Sequence, residues 1–288
     1  MPNLDDKVAE LRDLLTGLKQ VVVCFSGGVD SGYLLAEAVG TLADGATALT
    51  AVSPSLAPEE CTDAKRLAKK LGARHLLVNT CEIDDPRYAA NPVNRCYFCK
   101  AEVYAKAVAE AVRLKTPHVL DGFNLDDKTD HRPGRQAARE YGVYSPLEDL
   151  GFTKTDIRNA AQRLGLPIWN KPALACLSSR FPYGVTITPE RLTRIATCER
   201  VLRELGFPVC RVRFHDTMAR IEVERKNIQR LRTPEIRAEV LRRFRTAGFR
   251  AVTVDPRGYR AGSLNEILRL DVKSTLPVSP PNVESMPL

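Results

Sequence analysis

Three sets of residues in this chain have types and spacings that chemistry could use. The first is Ser26-Gly27-Gly28-Val29-Asp30-Ser31, which follows the apolar run Val21-Val22-Val23-Cys24-Phe25. A strand that ends in a glycine turn and opens a helix places backbone N–H groups and a helix N-terminus around one anion-sized hollow. The glycines let the backbone approach phosphate oxygens, Ser26 and Ser31 add hydroxyl donors, and Asp30 suits a magnesium ion that bridges phosphates. Gly-Lys-Ser/Thr and Gly-x-Gly-x-x-Gly are both absent, which excludes the two commonest nucleotide loops. The second set is Cys96 and Cys99, in Asn94-Arg-Cys-Tyr-Phe-Cys-Lys100, with Cys176 in Ala173-Leu-Ala-Cys-Leu-Ser-Ser-Arg-Phe-Pro-Tyr-Gly184. Two thiols at i and i+3 can face one metal. A closed zinc site wants a fourth ligand, whereas three thiolates leave one iron of a 4Fe-4S cluster open to exogenous sulfide. Cys24, Cys61, Cys81, Cys198 and Cys210 have no such company and read as structural. The third set is Arg211 and Arg213, which on a strand point to one face.

The elements that must position these residues follow from hydrophobic period. Val8, Leu11, Leu14, Leu15 and Leu18 predict a helix over 5–18, and the run from Val21 predicts a buried parallel strand. A helix from Ser31 and a strand at 48–53 complete a βαβ unit. The alternation continues with a helix at 58–71, a strand at 75–79, a helix at 98–112 and a strand at 118–123. This order predicts an α/β fold, a doubly wound parallel sheet. Around 164–183 the pattern gives way to Pro167, Pro172 and Pro182 with short polar connections, which suits a linker that presents functional side chains. A helix (189–205), two strands (209–214 and 218–223), a helix (234–247) and a strand (250–254) then predict a smaller C-terminal α+β domain. The expected division is 1–170, 171–272 and a proline-rich tail at 273–288, disordered or extended.

The 288 residues are 44% hydrophobic and 27% charged, as in an ordinary globular protein, and no stretch reaches the apolar length that crosses a bilayer. The N-terminal residues lack a signal-peptide pattern, so a cytoplasmic location is expected, where eight cysteines are thiols rather than a disulfide framework. A formal net charge of +8 fits a protein that handles phosphates and other anions.

Ser26-Gly-Gly-Val-Asp-Ser31 after a first strand resembles the signature of the PP-loop ATP pyrophosphatase superfamily, whose members split ATP between its α and β phosphates and form adenylates. By that analogy Ala51, Val52 and Ser53 lie against adenine, and the sheet is of the adenine nucleotide alpha hydrolase kind. Asp121-Gly-Phe-Asn-Leu-Asp-Asp127, Asp130-His-Arg-Pro-Gly-Arg-Gln-Ala-Ala138, Lys171–Gly184, Arg211-Val-Arg213 and Ala219-Arg-Ile-Glu-Val223 together resemble the LarE family of ATP-dependent sulfur transferases, from the loop to about residue 260. The resemblance implies adenylation of a carboxylate of a pyridinium-3,5-biscarboxylic acid mononucleotide and its conversion to a thiocarboxylate, on the route to the nickel-pincer nucleotide. It makes Cys176 the sulfur-bearing residue. It also gives Arg211 and Arg213 the substrate phosphate, and Arg180 a phosphate or the adenylate. Asp126, Asp127 and Arg132 would line the nucleotide cleft, and Glu199 and Glu222 are weaker candidates for a divalent-metal site, each reading otherwise as a surface charge. In the single-cysteine version of the family Cys176 gives up its own sulfur. Cys96 and Cys99 depart from that version and favour a 4Fe-4S cluster fed by a sulfide source. A homo-oligomer, such as a hexamer, is implied.

The rivals are a tRNA thiolase of the same superfamily, ammonia-using synthetases, and a nucleotide-sensing module without chemistry. RNA as a partner calls for long basic stripes or zinc-ribbon CxxC pairs, which the sequence lacks. The synthetases give no reason for the three cysteines.

Overall fold

The computed structural model describes residues 3–128, 133–172, 175–260, 262–265 and 286–287. It divides into two compact units, Met1–Leu174 and Ala175–Leu288.

The first unit runs α1 (Leu4–Leu18), β1 (Val21–Cys24), α2 (Val29–Leu42), β2 (Ala46–Val52), α3 (Pro58–Lys70) and β3 (Arg74–Asn79). It continues with α4 (Pro86–Ala89), α5 (Arg95–Arg113), β4 (His118–Leu120), α6 (Gly134–Glu140), α7 (Pro146–Asp149) and α8 (Lys154–Arg163). All strand pairs are parallel, in the order β3-β2-β1-β4. β1 is buried throughout because both faces are covered. Val21, Val23 and Phe25 pack with Leu11, Leu15, Leu34 and Ile157 from α1, α2 and α8, while Val22 and Cys24 pack with Tyr104, Ala107 and Ala137 from α5 and α6. This is the doubly wound sheet that the alternation predicts. Local sequence fixes the helix starts: Asn3 with Asp6 and Thr153 with Asp156 form capping boxes on α1 and α8, and Pro58 opens α3 ahead of Glu59 and Glu60.

The short helices α4, α6, α7 and, in the second unit, α10 (Ile228–Leu231) fall where no helix is predicted, and two further features differ from expectation. α5 begins at Arg95 rather than at 98, so Cys96 and Cys99 lie in its first turns. α8 falls where no helix is predicted, because its buried stripe is Ile157, Ala160 and Ala161, in which two small residues give a faint periodic signal.

The second unit contains α9 (Pro189–Glu204), β5 (Cys210–His215), β6 (Met218–Val223), α10 (Ile228–Leu231), α11 (Pro234–Thr246), β7 (Ala251–Val254) and β8 (Met286–Pro287). β5 and β6 form an antiparallel hairpin, β7 joins β6 in parallel, and β8 pairs antiparallel with β7. Val212, Phe214, Ala219 and Ile221 bury one face of the sheet, and Phe214 and Phe249 pack edge to face. Of the expected tail, only Met286–Pro287 falls among the described residues.

Candidate active site

In the first unit the chemistry gathers where β1 turns into α2. Gly27 takes φ +77° and its Cα approaches α3 so closely that a Cβ would lie 3.1 Å from that of Ala64, so only glycine fits without strain. Ser31 Oγ accepts from the Ser26 N–H at 3.2 Å and lies 3.1 Å from Ser26 Oγ, which cinches the loop into a ring. Gly28 is the N-cap of α2, and no side chain caps the helix. Its first-turn N–H groups therefore face outward without an intrahelical acceptor, as an anion cradle requires.

Asp30 stands in the first turn. Lys154, at the start of α8, forms an ion pair with its Oδ2, and its Oδ1 is buried with no hydrogen-bond partner among the described residues. A buried carboxylate oxygen left bare fits a cation, so the donor set suits Mg²⁺. Lys171 reaches the Gly27 carbonyl at 3.5 Å and is paired with Glu60 (2.9 Å) and Asp63 (3.4 Å). Gly122, after β4, presses on the same turn, where a Cβ would sit 2.7 Å from the Ser31 nitrogen. Gly122 and Lys171 fall in the segments Asp121–Asp127 and Lys171–Gly184 without a role of their own in the sequence, and Lys154 carries no local motif; each lies about 90 or more residues from the loop.

The other first-unit candidates cluster at the same strand ends. Ser53 Oγ lies 2.9 Å from Ser55 Oγ, which donates to buried Glu82 at 2.5 Å. Asp121 accepts from Tyr104 OH (2.6 Å) and Ser145 Oγ (2.7 Å), and burial raises its pKa. Asp126 is exposed and accepts from the Lys154 backbone N–H at 2.8 Å. Arg132 lies outside the described residues.

Burial sorts the cysteines. Cys24, Cys198 and Cys210 are buried, and desolvation pushes each thiol up to about 12. Cys96 and Cys176 are exposed and Cys99 is half-buried. Cys81, expected as structural, is exposed, and Cys61 is half-buried, because the first follows β3 at the sheet edge and the second rides the outer part of α3. Cys96 and Cys99 belong to the first unit and Cys176 to the second. Among the described residues no group of three or more His, Cys, Asp or Glu is placed to hold a metal ion.

In the second unit Arg180 departs from expectation. It is only 3% exposed, and its Nε and Nη2 clamp Glu199 at 2.8 and 3.0 Å. Its Nη1 donates to the carbonyls of Ala175 (2.6 Å) and Cys176 (2.9 Å) and to Ser179 Oγ. The guanidinium is thus used up in shaping the Cys176 turn and has no fork left for a phosphate. Glu199 and Glu222, each 1% exposed, are not surface charges. Glu199 also accepts the Val212 N–H, and Glu222 takes the Nε and Nη2 of Arg213 at 2.9 and 2.8 Å. As a site for a divalent cation, each carboxylate is already neutralised by a guanidinium. Arg211 and Arg213 do share a face, with Arg211 over the Tyr259 ring.

No family model matches the chain. It is 39% identical over 269 residues, 93% of this chain and 97% of the other, to a pyridinium-3,5-bisthiocarboxylic acid mononucleotide synthase of Lactiplantibacillus plantarum. The chain belongs to the LarE family. Another protein similar to it at nearly full length is an uncharacterized protein of Synechocystis, 45% identical over 92% of this chain and 99% of that one. A tRNA-specific 2-thiouridylase, MnmA, of Heliobacterium modesticaldum is 27% identical over 53% of this chain and 49% of its own. LarE and thiouridylase alike are enzymes of the PP-loop type, and the parallel sheet with its glycine loop is the fold they share. No helix among the described residues of this LarE-family chain is long and apolar enough to cross a membrane.

Proposed function

We propose that this enzyme uses ATP to adenylate a carboxylate of pyridinium-3,5-biscarboxylic acid mononucleotide and converts it to a thiocarboxylate, for the nickel-pincer nucleotide. The likeness to the synthase over nearly all of both chains carries this reading, and the uncapped loop at Ser26–Ser31 supplies its chemistry.

In this scheme the triphosphate lies along the first turn of α2, and Asp30 would hold the Mg²⁺ that offsets charge on the departing pyrophosphate. Ser53, at the end of β2, borders the adenine. A substrate carboxylate oxygen attacks the α-phosphorus, the bond to the bridging α–β oxygen breaks, and pyrophosphate leaves. The acyl adenylate carries AMP as leaving group, so a sulfur nucleophile can add at the carbonyl carbon and expel it. Arg211 and Arg213 belong to the face of the second unit that receives the nucleotide phosphate, and Arg180 holds the turn on which Cys176 is presented.

Cys96, Cys99 and Cys176, whose thiols are exposed or half-buried, would hold a 4Fe-4S cluster in this scheme. Such a cluster, when bound, supplies an open iron for sulfide brought from an outside source. The enzyme works in the cytoplasm as a homo-oligomer on a small-molecule nucleotide.

The test is anaerobic purification with iron and acid-labile sulfide analysis of wild type and Cys176→Ala, followed by ATP, the dicarboxylate nucleotide and sulfide. About four irons per chain, lost in the variant, with repeated turnovers, are expected. A single turnover with conversion of Cys176 to dehydroalanine would replace the cluster by sacrificial sulfur donation. Absence of thiocarboxylate under every condition would overturn the function.

A further inference from the structure

The end of β2 carries a hydrogen-bond chain whose direction is fixed from one side. Ser53 follows β2 and opens the turn Ser53-Pro54-Ser55-Leu56, in which the Leu56 N–H reaches the Ser53 carbonyl at 3.1 Å and the Ser55 N–H reaches Ser53 Oγ at 3.2 Å. β3 ends alongside, with Val52 level with Asn79 and the Thr80 N–H donating to the Val52 carbonyl at 2.9 Å, so that Glu82 comes against the turn. Ser55 and Glu82 are buried, and Ser53 is half-buried.

Proton counting assigns the roles. A carboxylate only accepts, and a serine hydroxyl has one proton and two lone pairs. Ser55 gives its proton to Glu82 Oε1 at 2.5 Å, so in the 2.9 Å contact between the two hydroxyls Ser53 is the donor. Ser53 Oγ has then spent its proton on Ser55 and one lone pair on the Ser55 N–H. One lone pair is left, and only a donor can use it. The second oxygen of Glu82, Oε2, is buried without a hydrogen-bond partner among the described residues. Burying a carboxylate for a single hydrogen bond is costly, and the turn is already closed by its backbone bonds. What the carboxylate adds is polarity, holding the chain of protons in one direction.

The place of Ser53 says which donor. Cys24 of β1 is level with Leu49 of β2, so Ser26 is level with Ala51 and Ser53 lies two residues beyond, roughly 8 Å from the start of the glycine loop. That reach suits the nucleoside of a nucleotide whose triphosphate lies in the loop. A ribose hydroxyl both donates and accepts and needs no fixed polarity in its partner. The 6-amino group of adenine only donates, whereas guanine and hypoxanthine carry an acceptor carbonyl at the same ring position.

We infer that Glu82, acting through Ser55 and Ser53, makes the enzyme select adenine over 6-oxopurine nucleotides: Ser53 Oγ accepts from the 6-amino group and turns a lone pair toward a 6-carbonyl. Glu82 and Ser55 are positioning residues for Ser53. This rests on the use of ATP proposed above.

The experiment measures binding of ATP, ITP, purine riboside triphosphate (which lacks the 6-substituent) and 2′- and 3′-deoxyATP to the full chain and its Ser53→Ala, Ser55→Ala and Glu82→Gln variants by titration calorimetry. Wild type should bind ATP about 10–100-fold tighter than ITP, the range for a polar group left facing the wrong partner. In Ser55→Ala the Ser53 proton is free to turn outward, so ITP should bind about tenfold tighter than it does to wild type; a merely structural defect would weaken both nucleotides alike. Glu82→Gln, whose amide can donate to Ser55 and reverse the chain, should also gain ITP binding, and it stands in should Ser55→Ala not fold. Ser53→Ala should close the gap between ATP and purine riboside triphosphate. Equal binding of ATP and ITP by wild type, a wild-type ratio in both Ser55→Ala and Glu82→Gln, or a loss of about tenfold with either deoxynucleotide, which would move the Ser53 contact to the ribose, would each overturn the assignment. If wild type binds ATP but makes no thiocarboxylate, the proposed function fails while the binding ratios still judge Glu82; a wild type that binds no nucleotide overturns both.

Discussion

The carbonyl oxygen of Cys176 lies 2.9 Å from Nη1 of Arg180, whose other edge is clamped to Glu199 on α9. The turn bearing an exposed thiol is thereby tied to the core of the second unit through a buried ion pair. Removing the cation takes two charged hydrogen bonds from buried Glu199 and leaves it the Val212 N–H and Arg203 at 3.7 Å, so Arg180→Met should cost about 3–5 kcal/mol in urea unfolding. Arg180→Met with Glu199→Leu should recover most of that stability without restoring thiocarboxylate formation, because the carbonyls of Ala175 and Cys176 lose their donor. A stable double variant with full turnover would refute the positioning role.

Asp30 offers one oxygen to Lys154 and keeps the other bare. Asp30→Asn retains the shape and removes the charge. Magnesium-dependent pyrophosphate release should fall about 100–1,000-fold, as for loss of a preorganised electrostatic group. Stability should change by less than about 1 kcal/mol, since the pair with Lys154 is partly solvated. Pyrophosphate release that survived at wild-type rate would remove Asp30 from the metal's ligands.

Gly122 touches the backbone of α2 where no flexible side chain can yield, with a Cβ placed 2.7 Å from the Ser31 nitrogen and 3.0 Å from its Cα. Gly122→Ala should destabilise by about 1–3 kcal/mol through forced backbone movement. It should weaken ATP binding at the same time, as seen in ATP-dependent thermal shifts, because the strain falls on the anion cradle itself. Gly17→Ala, with open space around its Cβ and no positive φ, is the control without the close contact and should leave ATP binding unchanged.

Alkylation should separate the cysteines by burial. In native protein at pH 8, iodoacetamide should label Cys96, Cys176 and Cys81, while Cys24, Cys198 and Cys210 stay unmodified because burial holds each thiol near 12. All eight should react in denaturant. Peptide mass mapping reads the result, and native labelling of Cys198 or Cys210 would contradict the packing of the second unit.

His215 should make the fold acid-sensitive. Its pKa is lowered from 6.5 to about 4 by burial first and by Arg220 and Arg213 next. Between those values the unfolded chain binds a proton that the folded chain refuses, so the contribution is present above pH 6.5 and is lost as pH falls toward 4. His215→Gln should flatten that part of the decline in the urea midpoint. An unchanged slope would show that His215 titrates normally.

The PP-loop was legible because its chemistry is local: the run Val21–Phe25, two glycines and Asp30 sit within ten residues, and backbone geometry follows directly from them. The parallel order was legible because alternate helices and apolar strands admit few topologies. Arg180 was misjudged for the opposite reason. Its partner Glu199 is 19 positions away, and an arginine beside a reactive cysteine looks the same in sequence whether it faces a ligand or a buried acid. Lys154 escaped notice because it lies 124 positions from Asp30, on a helix whose buried stripe is mostly alanine.

By itself the sequence determined the glycine cradle, the doubly wound sheet, the resemblance to LarE and the i, i+3 spacing of Cys96 and Cys99, all consequences of period and neighbouring residues. Tertiary structure alone decided which charges are used and which are left over. Glu199 and Glu222 are neutralised internally, Arg180 and Arg213 are consumed as their partners, and among the described residues Asp30 Oδ1 and Arg220 Nε are left without hydrogen bonds. The reason is desolvation: a charge acquires its role from what is buried beside it, and sequence spacing carries no record of that distance.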